Sequence, residues 1–204
     1  MNGIKFYLQE APTTTIQNRF YNGWTHDHYV SCVLVFAPNG TIIMAGINLP
    51  GCMHDSEVAH TCDIYDKLEK IFEDFGVRCT VDSAFSTTRL PHLIKSGQKS
   101  FATIEDAQLG AEGTSMRQGS EWGMRAFRSS FPRANDRILY EEHGRRYELQ
   151  LLLILLYNYR ANKVGINQIR NVYMPSFNFN STEMHEDEWN LTDDENDDDE
   201  GDQE

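Results

Sequence analysis

Short runs of β-branched and aromatic residues, broken by turn residues, fill the first quarter of the chain, and helically spaced apolar residues take over after them. Residues 3–8 (Gly-Ile-Lys-Phe-Tyr-Leu) read as a short strand, and Phe20-Tyr21 is a candidate start of another. His28 to Ala37 is rich in Val, Tyr and Phe, and Pro38-Asn39-Gly40 turns it back into Thr41 to Leu49. That pattern predicts a β-hairpin. Pro50-Gly51 breaks the run. Val58, Cys62, Tyr65, Leu68, Ile71 and Phe72 then recur at helical spacing, predicting a helix capped by Asp55 or Ser56, reaching Phe75 and stopped by Gly76.

Val77 to Val81 reads as a short buried strand that delivers Asp82 at its end. Residues 83–117 contain Thr87-Thr88, Pro91, Gly97, Gly110 and Gly113 and read as a long loop, which in a compact domain is more often functional than filler. Ser120 to Phe131 predicts a helix interrupted at Gly123. Tyr147 to Asn162 predicts a second one, apolar nearly all round (Leu149, Leu151, Leu152, Leu153, Ile154, Leu155, Leu156) and therefore expected to be buried. Beyond Pro175 the chain is dominated by Asn, Asp and Glu and cannot bury enough surface to order itself. The expected organisation is one α/β domain over residues 1–175 and a disordered acidic tail over 176–204.

The formal net charge of −13 belongs to that tail. From Glu183 onward there are 13 acidic residues and no Lys or Arg, which leaves 18 acids against 18 bases in the rest. The acidity is therefore no argument against a nucleic-acid partner. Between Arg117 and Arg170 ten bases stand against five acids, a surplus that suits phosphate contacts, with Arg117, Arg125, Arg128 and Arg133 as the DNA-contact candidates. A solvated helical face with local pairs such as Glu121 and Arg125 accounts for it equally well. Cys32, Cys52, Cys62 and Cys79 lack the spacing of a zinc or disulfide framework and read as reduced intracellular thiols. Lys5, Gln9 and Glu10 interrupt any leader-like apolar run, and Leu151 to Tyr157 is too short to span a bilayer, so no membrane role is expected.

The candidate chemistry lies in three acidic settings: His54-Asp55-Ser56 after Pro50-Gly51, Val81-Asp82-Ser83, and Gly119-Ser120-Glu121-Trp122-Gly123. Hard divalent cations want oxygen ligands brought together from separate elements, and phosphodiester chemistry commonly uses two such ions. The third carboxylate of such a site belongs on an early strand, where this chain has Asn2 before Gly3.

Together with Tyr21-Asn22-Gly23-Trp24, His26-Asp27-His28-Tyr29-Val30-Ser31, Phe36-Ala37-Pro38-Asn39-Gly40-Thr41-Ile42, Arg117-Gln118-Gly119-Ser120-Glu121-Trp122-Gly123-Met124-Arg125 and Tyr157-Asn158-Tyr159-Arg160, these strings resemble the DDE endonuclease domain of Harbinger-type transposases, from about Asn2 to Pro175. The resemblance implies a ribonuclease H-like fold, Mg²⁺ or Mn²⁺ as cofactor, DNA as partner, a nuclear location, and metal-dependent DNA cleavage and joining. It implies Asp82 and Glu121 as catalytic metal ligands, with Asn2 at the degenerate position of the first acid. It also implies an amino-terminally shortened domain whose usual DNA-binding segment would be supplied by a second protein in trans. The expected activity is accordingly weak or absent, and a non-catalytic nuclear DNA- or protein-binding module is the alternative.

Blander roles stand beside these. Asp82 suits the cap of a turn, and Glu121 the first turn of a helix, where the dipole favours an acid. His54 and Asp55 read as structural or supporting groups, Asp55 being a natural N-cap. His26 and His28 lack a third ligand for a transition metal. Ser83 and Ser86 near His92 have no marked oxyanion hole. Trp122 and Phe127 read as core.

Overall fold

The computed structural model describes residues 1–10, 13–85, 87, 90–95, 104–139, 143–165 and 167–173. The tail expected over 176–204, Ser86 and the middle of the expected long loop lie outside the described residues.

Three antiparallel strands form the centre: β1 (Asn2–Tyr7), β3 (Asp27–Phe36) and β4 (Ile42–Pro50). Strand β3 lies between the other two, with Ile4 opposite Cys32 and Leu34 opposite Ala45. The hairpin forms where the turn residues place it, Gly40 adopting φ +82° and donating its N–H to Ala37. Helix α1 (Thr14–Phe20) and the two-residue strand β2 (Tyr21–Asn22) precede β3, and β2 pairs with its first two residues. Strands β5 (Cys79–Val81) and β6 (Leu93–Lys95) are parallel to each other, and the Met1 nitrogen donates to the Thr80 carbonyl at 2.7 Å. That contact sets β5 beside the start of β1.

The period-two alternation of β3 divides the core into two halves. Val30, Cys32 and Leu34 face one side with Ile4 and Phe6, packing on Met124 and Phe127 of α4 (Ile104–Ser130) and on Leu153, Ile154 and Tyr157 of α5 (His143–Val164). Val33 and Val35 face the other side and pack on Val58 and Ala59 of α2 (Asp55–Thr61), on Ile64, Tyr65 and Leu68 of α3 (Ile64–Phe75), and on Val81 and Phe85. The result is a sheet with helices on both faces. A short 3-10 turn (Pro132–Asn135) follows α4, after which Arg137 grips Asp27 through two parallel contacts of 2.9 and 3.0 Å. Helix α6 (Gln168–Tyr173) packs against α4.

Several expectations are corrected. The single helix expected to Phe75 is two, broken at Asp63, which adopts φ 54°, so that Val58 and Ala59 as well as Ile64 and Leu68 can face the sheet. Helix α4 starts at Ile104, inside the expected loop, and runs through Gly110 and Gly113 without a break. Gly123 does not interrupt it either. A Cβ there would lie 2.8 Å from Phe36, so the glycine lets the helix approach the sheet. Helix α5, expected to be buried all round, buries only the face carrying Arg146, Gln150, Leu153, Ile154, Tyr157 and Ala161.

Candidate active site

Asp82 stands one residue past the end of β5 and Glu121 stands midway along α4, not in a first turn, so the helix dipole has little to do with it. Arg117, one turn before Glu121, joins them. Its Nε donates to Glu121 Oε1 at 3.1 Å and lies 3.8 Å from Asp82 Oδ1. The two carboxylate oxygens are therefore no farther apart than those two distances laid end to end. The pair anticipated between Glu121 and Arg125 is replaced by this one, and Arg117 turns toward acids instead of outward.

Asp82 also behaves as a turn residue, accepting the Ser83 N–H at 2.6 Å through Oδ1 while its carbonyl accepts the Phe85 N–H. The turn fixes where the carboxylate points. Asp82, Arg117 and Glu121 side chains are all partly open to solvent, about a third exposed, so water and a ligand can reach them.

Asp55 is the first residue of α2, with His54 in the N-cap position, and neither makes the side-chain cap expected of Asp55. Instead its carboxylate lies against Gly3, where a Cβ would be 2.2 Å from Oδ2. Burial pushes its pKa above the ordinary value, opposed by Lys5, and the negative charge of Asp82 pushes it further the same way. Asp55 thus shares an electrostatic neighbourhood with Asp82, a relation invisible in local sequence.

Asn2 has the strand parity of Ile4 and Phe6, on the α4 side of the sheet, and its Oδ1 accepts the Gly3 N–H at 2.8 Å. Its amide oxygen is spent on its own backbone. Among the described residues no group of three or more His, Cys, Asp or Glu side chains is gathered to hold a metal ion. Two carboxylates already sharing one cationic group do suit a single Mg²⁺-like ion, which keeps several waters and takes one or two carboxylates from the protein.

The basic surplus divides on inspection. Arg117, Arg125 and Arg128 recur along one face of α4, and Arg125, Arg128 and Arg133 are exposed. Arg146 is buried, its guanidinium over the Phe20 ring and its Nε donating to Asn48, so it faces no phosphate. Arg137 is paired with Asp27 and Arg160 with Ser130.

The nucleophile alternatives gain nothing. His92 is buried near the Phe72 ring. Burial pushes the Cys32 thiol up to about 12, far from a reactive thiolate. All four cysteines are free. Phe127 is core, against Phe6 and Tyr157, while Trp122 is half-buried against Tyr173.

The sequence profile described as DDE superfamily endonuclease matches residues 1–158, more than half of the chain. The chain belongs to the DDE superfamily of endonucleases. Nucleases of this family act on DNA and generally use divalent metal ions. No curated protein and no solved structure matches the chain. Among the described residues no helix is long and apolar enough to cross a membrane.

Proposed function

We propose that this chain is a transposase-derived, Harbinger-type DDE nuclease domain with a ribonuclease H-like fold, acting on DNA in the nucleus and weakened by the amide at Asn2. The observation that carries this reading is the convergence of Asp82 and Glu121 on one guanidinium across 39 residues of sequence. Carboxylates from a strand end and a helix that already share a cation are the donor set a divalent metal would take over. The antiparallel β4-β3-β1 arrangement, with β5 beside the start of β1, supports the fold reading.

In this reading Asp82 and Glu121 would hold a Mg²⁺ or Mn²⁺ ion, which would supply Lewis acidity toward a phosphodiester oxygen. The Ser83 N–H orients Asp82. Arg117 offsets one of the two negative charges in the absence of metal and is free to meet a phosphate when released. Arg125 and Arg128 on α4 and Arg133 on the 3-10 turn after it hold the DNA backbone. A second dication would need a bridging anion, and a neutral Asn2 amide turned onto Gly3 is a poor substitute. His54 and Asp55 support the site and are not assigned as ligands. A DNA-binding protein in trans supplies target recognition.

The Asn2 contact favours one second reading, a non-catalytic DNA-binding module derived from a transposase. Nicking of supercoiled plasmid with Mn²⁺, alongside Mn²⁺ titration calorimetry, separates the two. Weak nicking and binding that both vanish in Asp82→Ala are expected. Metal binding unchanged in Asp82→Ala would end the nuclease reading, and binding without nicking would leave the module.

A further inference from the structure

A small cavity of about 60 Å³ opens where α4, α5 and the start of α6 meet. Ala126 and Ala161 give it apolar wall, and Tyr157, Arg160, Asn167 and Gln168 give it polar groups. One water molecule needs about 10–15 Å³ of such space, so the cavity takes about four or five water-sized atoms.

The Tyr157 hydroxyl lines this cavity, is buried, and makes no hydrogen bond. A buried hydroxyl left unpaired is costly, and one beside a cavity asks for an occupant. Burial raises its pKa, opposed by the neighbouring Asn167 amide and by the positive charge of Arg160. The group therefore stays protonated and can donate. Asn167 is committed elsewhere, its Nδ2 donating to the Gly40 carbonyl at 3.3 Å and its Oδ1 accepting the Ile169 N–H at 2.9 Å.

The walls carry one sign of charge. Arg160 is exposed at the cavity, and among the described residues its guanidinium is held by the neutral Ser130 hydroxyl and by no carboxylate. Residues 122–135 and 149–173, which supply the walls, contain six bases (Arg125, Arg128, Arg133, Arg160, Lys163, Arg170) and no Asp or Glu. Glu121 is bound to Arg117, and Glu148 lies about 14 Å along α5 from Tyr157. A cation and an unpaired donor on acid-free walls draw an anion. Four oxygens on one centre match the number of water-sized atoms the space holds.

We propose that the cavity between α4, α5 and α6 is a phosphate-binding site, in which the Arg160 guanidinium and the Tyr157 hydroxyl hold a single phosphate group. The proposal rests on the DNA reading only for the source of that phosphate, and on no part of the metal chemistry.

Phosphorus NMR titration of inorganic phosphate with the full chain at fixed ionic strength tests it. Binding in the millimolar range is expected. Tyr157→Phe keeps the ring that packs on Phe127 and removes only the hydroxyl, so the variant folds and binds phosphate about tenfold more weakly. Arg160→Gln abolishes measurable binding, whereas Arg170→Gln, outside the cavity lining, leaves it unchanged. Fluorescence anisotropy with a labelled duplex identifies the source. With a backbone phosphate in the cavity, Tyr157→Phe weakens DNA binding at an unchanged salt slope, and Arg160→Gln flattens the slope by about 0.9. Variants that lose inorganic phosphate yet bind DNA as before support the site with free phosphate as its ligand. Inorganic phosphate that fails to bind, or that binds Tyr157→Phe and Arg160→Gln as well as the unmodified chain, overturns the proposal whatever the metal and nicking assays give.

Discussion

The Asp55 carboxylate occupies the space into which a side chain at Gly3 would grow, with Oδ2 2.2 Å and Oδ1 2.7 Å from the position of its Cβ. A glycine on β1 is therefore what admits the start of α2 to the sheet beside Asp82. Gly3→Ala must push the carboxylate aside, and overpacking of this kind costs about 1–3 kcal/mol. Urea unfolding of Gly3→Ala, Asp55→Ala and the double variant measures it. The Gly3→Ala penalty should shrink when Asp55 is already truncated, whereas equal penalties in both backgrounds would mean that the two residues do not compete for that space.

Asp55 should also cost the protein stability at neutral pH. Burial raises its pKa in the fold above the unfolded value of 3.8, with Lys5 opposing and Asp82 reinforcing the rise. Folding then favours the protonated form, so the stability it contributes is complete below 3.8 and is lost as pH rises through the folded pKa. Asp55→Asn keeps the shape and removes the charge. Its unfolding midpoint should exceed that of the unmodified chain at pH 7, and the difference should close as pH falls toward 4. A midpoint lower at pH 7 would place the carboxylate among compensating charges instead.

Arg117 competes with any metal for the same two acids. Its Nε lies 3.1 Å from Glu121 and 3.8 Å from Asp82, so a bound dication must displace it or face its positive charge. At exposures near 40% the screened repulsion is modest, and Arg117→Met should tighten Mn²⁺ binding by about tenfold, or about 1.4 kcal/mol. Titration calorimetry reads this directly, with Asp82→Asn as the variant that binds nothing. Weaker binding in Arg117→Met would show that the guanidinium organises the acids for metal.

The hairpin was legible because Pro38-Asn39-Gly40 specifies its own turn and the flanking runs are β-rich. The strand leading to Asp82 was legible for a similar reason, being short, apolar and bounded by Gly76. Helix α4 was not. Gly110, Gly113 and Gly123 read locally as breaks, whereas a glycine inside a helix costs only about 1 kcal/mol relative to alanine and close packing can offset it, as Gly123 does against Phe36. Periodicity also misjudged α5, since it reports how apolar a helix is and not how much of it one chain can cover. The contact of Asp55 with Gly3 and the approach of Asp82 to Arg117 are long-range facts with no local sequence signal, whereas Arg117 and Glu121 stand at the i,i+4 spacing of a helical ion pair.

Phosphate contacts along α4 should appear in the salt dependence of DNA binding. Arg125 and Arg128 are exposed on the face that leads to Glu121, while Arg117 is held by acids and Arg146 is buried. Only the first two are therefore positioned on α4 to release counterions from DNA in the metal-free protein. Each phosphate contact contributes about 0.9 to the slope of log K against log salt concentration. Arg125→Ala with Arg128→Ala should flatten that slope by about 2 and weaken binding uniformly across duplexes of different sequence. Arg146→Ala, by contrast, should leave the slope unchanged while lowering stability, because it removes a buried guanidinium packed on Phe20. Fluorescence anisotropy with a labelled duplex at several salt concentrations makes the comparison. A slope unaffected by the α4 pair would move the DNA surface off this helix and leave the phosphate contacts to other bases.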